Sequence, residues 1–368
     1  MSSKPAARVA FLFLGETLLV PHLYPIAEAL GRMRPDMDLD LWVANEPCEK
    51  LLLEQLAMLA LPNVRVRRAP GFGRSLHWPG AKLVLLARML PNILRATAVV
   101  CAEQTSLWLP YLLPLRMPFI KTSHGVGSMS ARDTRRRTAA WRMLVPSELE
   151  RSTYLVRGDD PERIIATGYV KTSFERASSA GPHFAEQRPT VLYTPHWQKP
   201  RSSWWLWGRD LVARLAEQTR YNVILQPHQR LIERDPGVRE ALMSVAHLPH
   251  VHVDLDSFSM IDGSYLKRAD IYLGDTSSQV VEFLATPRPC VFLNAQRLDW
   301  RATDDHGFWE CGEVVDQIDA VLPALDRAAA LHGQFVDIQT RFAAEALGPT
   351  DGTAPGRCAD IILEALER

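Results

Sequence analysis

The sequence lacks the marks of an exported, metal-binding or membrane-spanning protein. Its five cysteines are widely spaced over 368 residues and form no Cys-x-x-Cys pair, so neither a zinc ribbon nor a redox dithiol is indicated. We interpret them as reduced thiols of a cytosolic protein. The apolar stretch at 9–14 is too short for a secretory signal. The stretch at 107–120 contains three prolines and Arg116 and cannot form a spanning helix of about 20 residues.

Net charge and the common nucleotide or metal motifs are also missing. Lysine plus arginine and aspartate plus glutamate number 42 each, so the whole-molecule field offers nucleic acid no general attraction. There is no Walker loop, no Gly-x-Gly-x-x-Gly after the first apolar run and no His-x-x-x-His pair. These absences argue against an ATPase, a simple dehydrogenase and a zinc hydrolase.

Short apolar runs alternate with helical periodicity, which predicts parallel sheets covered on both faces by helices. One long helix is predicted over 81–100. A stretch of small residues, Gly and Pro at 177–189 is typical of a linker. It predicts an N-terminal α/β domain (1–176), a C-terminal α/β domain (190–340) and a helical tail (341–368). Ligands of open α/β sheets bind beyond the carboxyl ends of the strands, so we expect the chemistry in loops after strands.

A histidine followed by glycine stands just after the strand predicted at 118–121. His124 and Gly125 can present an imidazole and backbone N–H groups to an anion, because glycine permits close approach. The alternative is a glycine turn with a bystander histidine. Arginines follow in a stretch predicted to be helical, where they form either a solvated face or a contact for an anionic acceptor or lipid. These arginines are Arg132, Arg135, Arg136 and Arg137.

Two more strand-end histidines occur in the second half. Pro227 interrupts the predicted strand 222–226 and sets His228 at its carboxyl end. Thr194 begins a similar Thr-Pro-His sequence, to which we give less weight. The alternative at both places is a histidine with a structural role only, whose ring hydrogen-bonds to neighbouring protein groups.

The most specific pattern is DTSSQVVEF at 275–283. Thr276 and Gln279 are spaced like a capping box, which predicts a helix beginning at Ser277. Free N–H groups and hydroxyls at such a helix start form a phosphate site, and Glu282 is placed to accept hydrogen bonds from ribose. A well-capped helix without a ligand is the alternative. The predicted donor ligands are Asp275, Thr276, Ser277, Ser278 and Glu282, together with Gly125 and Thr194.

Three tryptophans, Trp204, Trp205 and Trp207, stand close together. Ordinary core packing is the plainer interpretation, and a membrane-interface patch is the sharper one.

Taken in order, these loops resemble the CDP-glycerol glycerophosphotransferase family, which comprises teichoic-acid-type polymerases and primases of the GT-B fold. The family usually continues its His-Gly with Thr-Pro-Leu-Lys and has an arginine before Pro-His, whereas this chain has VGSM at 126–129 and Gln226. Both departures remove a cation and leave the donor open. The matching stretches are KTSHG (121–125), VLYTPHW (191–197), LQPH (225–228), ADIYLGDTSS (269–278), EFLATPRPCVFLN (282–294) and GEVV (312–315).

The resemblance implies two doubly wound domains facing a central cleft. It implies transfer of glycerol phosphate, or a related polyol phosphate, from a CDP-activated donor to a hydroxyl of a glycan or lipid-linked glycan. His124 would be the base, and His228 would contact phosphate as a cation or hydrogen-bond donor. Asp275, Ser277 and Ser278 would hold the donor phosphates. No metal is obligatory in this scheme, and the need for a divalent ion stays open.

Two alternatives remain. A UDP-sugar glycosyltransferase or 2-epimerase would keep the fold and change the donor, and a non-catalytic nucleotide-binding protein would keep only the cleft. We expect a cytoplasmic protein with peripheral contact at the inner face of the membrane and no nucleic-acid partner.

Overall fold

The computed structural model describes residues 7–73, 80–126, 135–175, 182–302 and 304–367. The chain divides into two compact units. The first is Met1–Ser178 with Glu345–Arg368, and the second is Ser179–Ala344. Each unit has its own parallel sheet.

In the first unit, the described residues form a sheet of seven strands. The strands are β1 (Arg8–Phe13), β2 (Asp38–Val43), β3 (Val64–Arg68), β4 (Ala98–Cys101), β5 (Phe119–Thr122), β6 (Arg142–Val145) and β7 (Ile164–Ala166). Their order across the sheet is β3-β2-β1-β4-β5-β6-β7. The helices between them are α1 (Val20–Met33), α2 (Glu46–Ala57), α3 (Ala81–Ile93), α4 (Trp108–Leu112) and α5 (Glu148–Val156). The central strands β1 and β4 are almost entirely buried, as expected of strands covered on both faces.

The helix predicted over 81–100 is wrong in its second half. Helix α3 ends at Ile93, and Ala98–Cys101 is strand β4. Only the four residues LRAT lie between the helix and AVVC, so periodicity alone does not separate the two elements. Its β-branched valines pair with β1 on one side and β5 on the other.

The second unit has six strands among its described residues. They are β8 (Thr190–Thr194), β9 (Asn222–Leu225), β10 (Val251–Val253), β11 (Ile271–Gly274), β12 (Cys290–Leu293) and β13 (Glu313–Val315). Their order is β10-β9-β8-β11-β12-β13. The helices are α6 (Trp204–Glu217), α7 (Gln229–Arg234), α8 (Pro236–Met243), α9 (Ser264–Arg268), α10 (Ser278–Phe283), α11 (Val321–Leu331) and α12 (Val336–Leu347), of which α12 ends in the first unit.

The last helix, α13 (Ala354–Leu366), lies in the stretch that the sequence separates as a helical tail. It packs on α1 of the first unit. The Arg357 guanidinium also donates to the Thr167 carbonyl at 2.8 Å. The final part of the chain therefore completes the first unit.

The tryptophan group belongs to the core of the second unit. Trp204 is 3% exposed, and its indole N–H donates to Asp235 at 2.9 Å. Trp205 and Trp207 are partly buried and pack against the same core. A surface patch containing Trp204 is therefore wrong, because its ring fills the space beside Gly208.

The predicted fold class, two doubly wound α/β units, is confirmed. In each sheet the strand order reverses once: between β1 and β4 in the first unit, and between β8 and β11 in the second. Such switch points leave a crevice beyond the strand ends, where ligands of these folds bind. Of the residues predicted to carry chemistry, His124 lies beside the first of these places, and Thr194, His228 and Asp275 lie at or beside the second.

Candidate functional site

Two histidines stand beyond the ends of neighbouring strands in the second unit. His196 follows β8 and His228 follows β9, and these strands pair in parallel. The ring centroids are 5.9 Å apart. The Nδ1 of His196 accepts the Gln198 backbone N–H at 3.2 Å, and the Nδ1 of His228 accepts the Arg230 N–H at 3.1 Å. In the neutral form, both rings therefore carry their proton on Nε2.

Both imidazoles are neutral near pH 7. Burial lowers the pKa of His196 to about 4, with further lowering by His228 and Arg201. Burial and the charge of Arg230 lower the pKa of His228 to about 4 as well. Of the two roles left open for His228, the structure thus favours the hydrogen-bond donor over the cation.

Asp275 connects the loop after β11 to the loop after β8. Its side chain is almost fully buried, and its Oδ2 accepts the His196 backbone N–H at 2.9 Å. Burial raises the pKa of this carboxyl to about 7, against the opposing effect of hydrogen bonds from His196, Ser203 and Ser202. Placed beneath the loop, Asp275 positions the backbone that carries His196.

The start of α10 differs in detail from the predicted capping box. Ser277, in an extended conformation, is the N-cap, and its hydroxyl accepts the Gln279 N–H at 3.2 Å. Thr276 as the cap is therefore wrong. Its buried Oγ1 has no hydrogen-bond partner among the described residues. The side chain of Ser278 lies outside the described part, and Glu282 is partly buried on α10.

Thr194, predicted as a donor ligand, is committed to the sheet. Its buried hydroxyl donates to the Tyr272 hydroxyl at 2.7 Å. Beside it, a Cβ on Gly274 would lie 2.9 Å from the Thr194 Oγ1. Glycine is thus the residue that lets β8 and β11 end together at the switch point.

In the first unit, His124 follows β5 and has the opposite arrangement of protons. Its Nδ1 lies 3.0 Å from the carbonyl oxygen of Ala102, the residue after β4. A carbonyl can only accept, so the Nδ1 carries the proton and the Nε2 keeps a lone pair. Burial and the nearby Lys121 lower the pKa of His124 below its ordinary value. The Nε2 lone pair is therefore a proton acceptor near neutral pH.

Buried polar side chains hold the His124 loop in place. The Ser123 hydroxyl donates to Glu150 on α5 at 3.1 Å, and the Lys121 ammonium donates to the Thr122 carbonyl at 3.2 Å. A Cβ on Gly125 would meet no atom of the described residues within 4 Å. Within that part of the chain, the space above this glycine is therefore open.

The arginine run is not one surface helix. Arg132 lies outside the described residues; Arg135–Ala139 is a 3₁₀ turn. Arg137 is buried, makes two hydrogen bonds to Asp159 at 3.2 and 2.7 Å, and lies over the Tyr154 ring. Arg137 as an acceptor or membrane contact is therefore wrong. Arg135 is exposed, and the guanidinium of Arg136 lies 4.7 Å from the Trp108 ring centroid.

Other features lie apart from these histidines. A cavity of about 480 Å³ is lined by residues after β12 and β13, including Asn294 and Asp316, and contains none of the predicted residues. Within the described part of the chain, no three or more His, Cys, Asp or Glu side chains are grouped to hold a metal ion. There, too, no helix combines the length and apolarity needed to cross a membrane.

Sequence reasoning gave His196 little weight and missed Arg230 and Arg234. The second Pro-His after a strand was the signal for His196. The four-residue spacing of the two arginines was the signal for a shared helix face.

No family model matches the sequence, and no curated protein matches it significantly. Solved structures do. The wall teichoic acid polymerase TagF matches with a TM-score of 0.68 at 14% identity, covering 99% of this chain and 90% of that one. A TagF variant soaked with CDPG matches with a TM-score of 0.66 at 16% identity, covering 99% and 89%.

Epimerases match almost as well. A UDP-N-acetylglucosamine 2-epimerase matches with a TM-score of 0.64 at 14% identity, covering 98% of this chain and 96% of that one. A co-structure of S. aureus MnaA with UDP matches with a TM-score of 0.64 at 13% identity, covering 98% and 97%. At these identities the similarity shows the fold alone. The chain has an α/β fold of the GT-B type.

Proposed function

We propose that this protein is a transferase that moves glycerol phosphate, or a related polyol phosphate, from a CDP-activated donor to an acceptor hydroxyl. The observation that carries the proposal is the opposite tautomers of the strand-end histidines. His124 offers a lone pair at Nε2, whereas His196 and His228 offer N–H groups. Phosphoryl transfer needs both kinds of group: a base for the attacking hydroxyl and donors for the phosphate oxygens.

In this mechanism, Nε2 of His124 takes the proton of the acceptor hydroxyl as its oxygen bonds to phosphorus. The phosphorus–oxygen bond to CMP breaks, and CMP leaves with the bonding electron pair. His196, His228 and Thr276 donate hydrogen bonds to phosphate oxygens. Because the imidazole donors are already oriented by backbone N–H groups, little reorganisation accompanies the reaction. Asp275 holds the His196 loop by accepting the His196 backbone N–H.

The donor assignment is supported by the TagF structure soaked with CDPG and by the order of the matching sequence motifs. A UDP-linked donor is the second candidate, favoured by the fold shared with MnaA bound to UDP. Both donors fit the histidine pair, because in this proposal the pair contacts the phosphate groups and not the cytosine or uracil ring.

The test is calorimetry with CDP and UDP, followed by an assay of CMP release from CDP-glycerol. We expect CDP to bind more tightly than UDP, and CMP to be released when an acceptor polyol or glycan is added. Tighter UDP binding with no CMP release would favour the second candidate. Binding without turnover of either donor would favour a catalytically silent protein.

We also propose that the first unit contacts an anionic membrane surface, which suits a lipid-linked acceptor. Consecutive apolar residues at and after the end of α4, Tyr111, Leu112 and Leu113, are exposed. The guanidinium of Arg136 lies over the ring of Trp108, which is the first residue of α4. Exposed apolar and aromatic residues next to arginine are typical of interfacial contacts.

A further inference from the structure

Trp197 lies at the centre of a cationic group next to the histidine pair. Its ring centroid is 5.8 Å from that of His196 and 6.3 Å from that of His228. Two guanidiniums from α7 lie over the same indole, Arg230 at 5.3 Å and Arg234 at 4.3 Å from its centroid. His228 is the N-cap of this helix. The backbone that orients the imidazole therefore also brings both arginines to Trp197.

These two arginines differ from several other arginines of their unit, which are paired with carboxylates. Among the residues that the structure describes, neither Arg230 nor Arg234 is paired with a carboxylate, although both are exposed. Five other arginines of the second unit form ion pairs: Arg188 with Glu186, Arg209 with Asp235, Arg214 with Asp319, Arg220 with Asp326 and Arg327 with Glu313.

The like charges of Arg230 and Arg234 face the same side of one short helix, an arrangement that is unfavourable without an anion. The neighbouring charged residues that act on the histidines are also basic: Arg201 acts on His196 and Arg230 acts on His228. The guanidiniums of Arg201, Arg230 and Arg234 thus lie near the ends of β8 and β9, with Glu233 as the acidic residue of α7.

We propose that Arg230 and Arg234, held over Trp197, form an anion subsite that takes one phosphate of a diphosphate group. The other phosphate lies at the histidine pair and the switch point. This rests on the proposed function for the nucleoside part of the ligand, but the subsite itself recognises only the diphosphate. Guanidinium suits this role because its planar face stacks on the indole while its N–H groups bind phosphate oxygens.

The test is calorimetry on the full chain with inorganic pyrophosphate, using orthophosphate to compare one phosphate with two. The variant is Arg230→Gln with Arg234→Gln, and the matched control is Arg239→Gln, an exposed arginine on α8. We expect the double variant to bind pyrophosphate at least about tenfold more weakly, the scale of one hydrogen bond to a charged group. The control should bind it like the wild type.

Nucleotides separate this proposal from the proposed function. With CDP and CMP, the double variant should lose affinity for CDP by about tenfold and for CMP by much less, so the preference for the diphosphate disappears. Pyrophosphate binding that depends on the arginines, in a protein that binds no nucleotide, would support the subsite and reject the donor. Equal binding of pyrophosphate and CDP by variant and wild type, or no pyrophosphate binding by the wild type, would overturn the subsite.

Discussion

The strand-end histidines of the two units resemble each other in sequence and differ in chemistry. His124 and His228 each follow a parallel strand. The Nδ1 of His124 faces the Ala102 carbonyl, whereas that of His228 accepts the Arg230 N–H. One backbone partner makes the free nitrogen a base, and the other makes it a donor. Identical side chains thus acquire different roles from the groups behind them.

The largest expected effect comes from replacing these histidines with glutamine. A glutamine amide can donate a hydrogen bond, but it is not a base at neutral pH. We expect His124→Gln to lower kcat for CMP release by at least about 100-fold, the range of general-base catalysis. His228→Gln should lower the same kcat by about tenfold or less, because the glutamine amide retains a hydrogen-bond donor. Circular dichroism checks that both variants fold, and equal losses would remove the contrast between the two sites.

Asp275 should make stability depend on pH. Its folded pKa of about 7 lies above its ordinary value near 4, so the folded state binds the proton more tightly. Its contribution is complete below about pH 4 and is lost as the pH rises through 7. Relative to Asp275→Asn, the wild type should lose up to about 1.4 kcal/mol for each pH unit in this window. Denaturant titrations at pH 5 and pH 7 measure the free energy of unfolding of both proteins. The same difference between wild type and variant at both pH values would refute the raised pKa.

Two threonines at neighbouring strand ends should respond in opposite ways. The Thr276 hydroxyl has no hydrogen-bond partner in the described part of the chain, whereas that of Thr194 donates to Tyr272. Thr276→Val should therefore raise KM for the donor about fivefold, the value of one hydrogen bond, without loss of stability. Thr194→Val should lower the free energy of unfolding by about 1 to 3 kcal/mol, because it leaves the Tyr272 hydroxyl buried without its partner. If Thr194→Val raised KM and Thr276→Val did not, Thr194 and not Thr276 would be the threonine that binds the donor.

The smallest effect concerns the two surfaces considered for the membrane. Leu112 in the first unit and Leu206 beside the tryptophans of the second are both more than half exposed. Leu112→Glu should weaken co-sedimentation with anionic vesicles severalfold, since burial of one leucine is worth about 1.5 to 3 kcal/mol when complete. Leu206→Glu serves as the matched control and should bind like the wild type. A larger loss for Leu206→Glu would transfer the contact to the second unit.

Much of the fold was predictable, because buried parallel strands such as β1 are apolar after their first residue and are separated by amphipathic helices. Strand β4 was not, since only four residues separate its short apolar segment from the apolar residues of α3. At the site, the positions of His124 and His228 followed from their strands. Their tautomers did not, because His124 is set by Ala102, on another strand end. The burial of Arg137 likewise depends on Asp159, 22 residues away in sequence.

The most direct test of the central contrast is the ¹⁵N NMR spectrum of the histidine side chains near pH 7, with single-histidine variants to assign the signals. We predict the Nδ1–H tautomer for His124 and the Nε2–H tautomer for His196 and His228. An Nε2–H tautomer at His124, or a protonated imidazolium at His228, would contradict the division into one base and two donors.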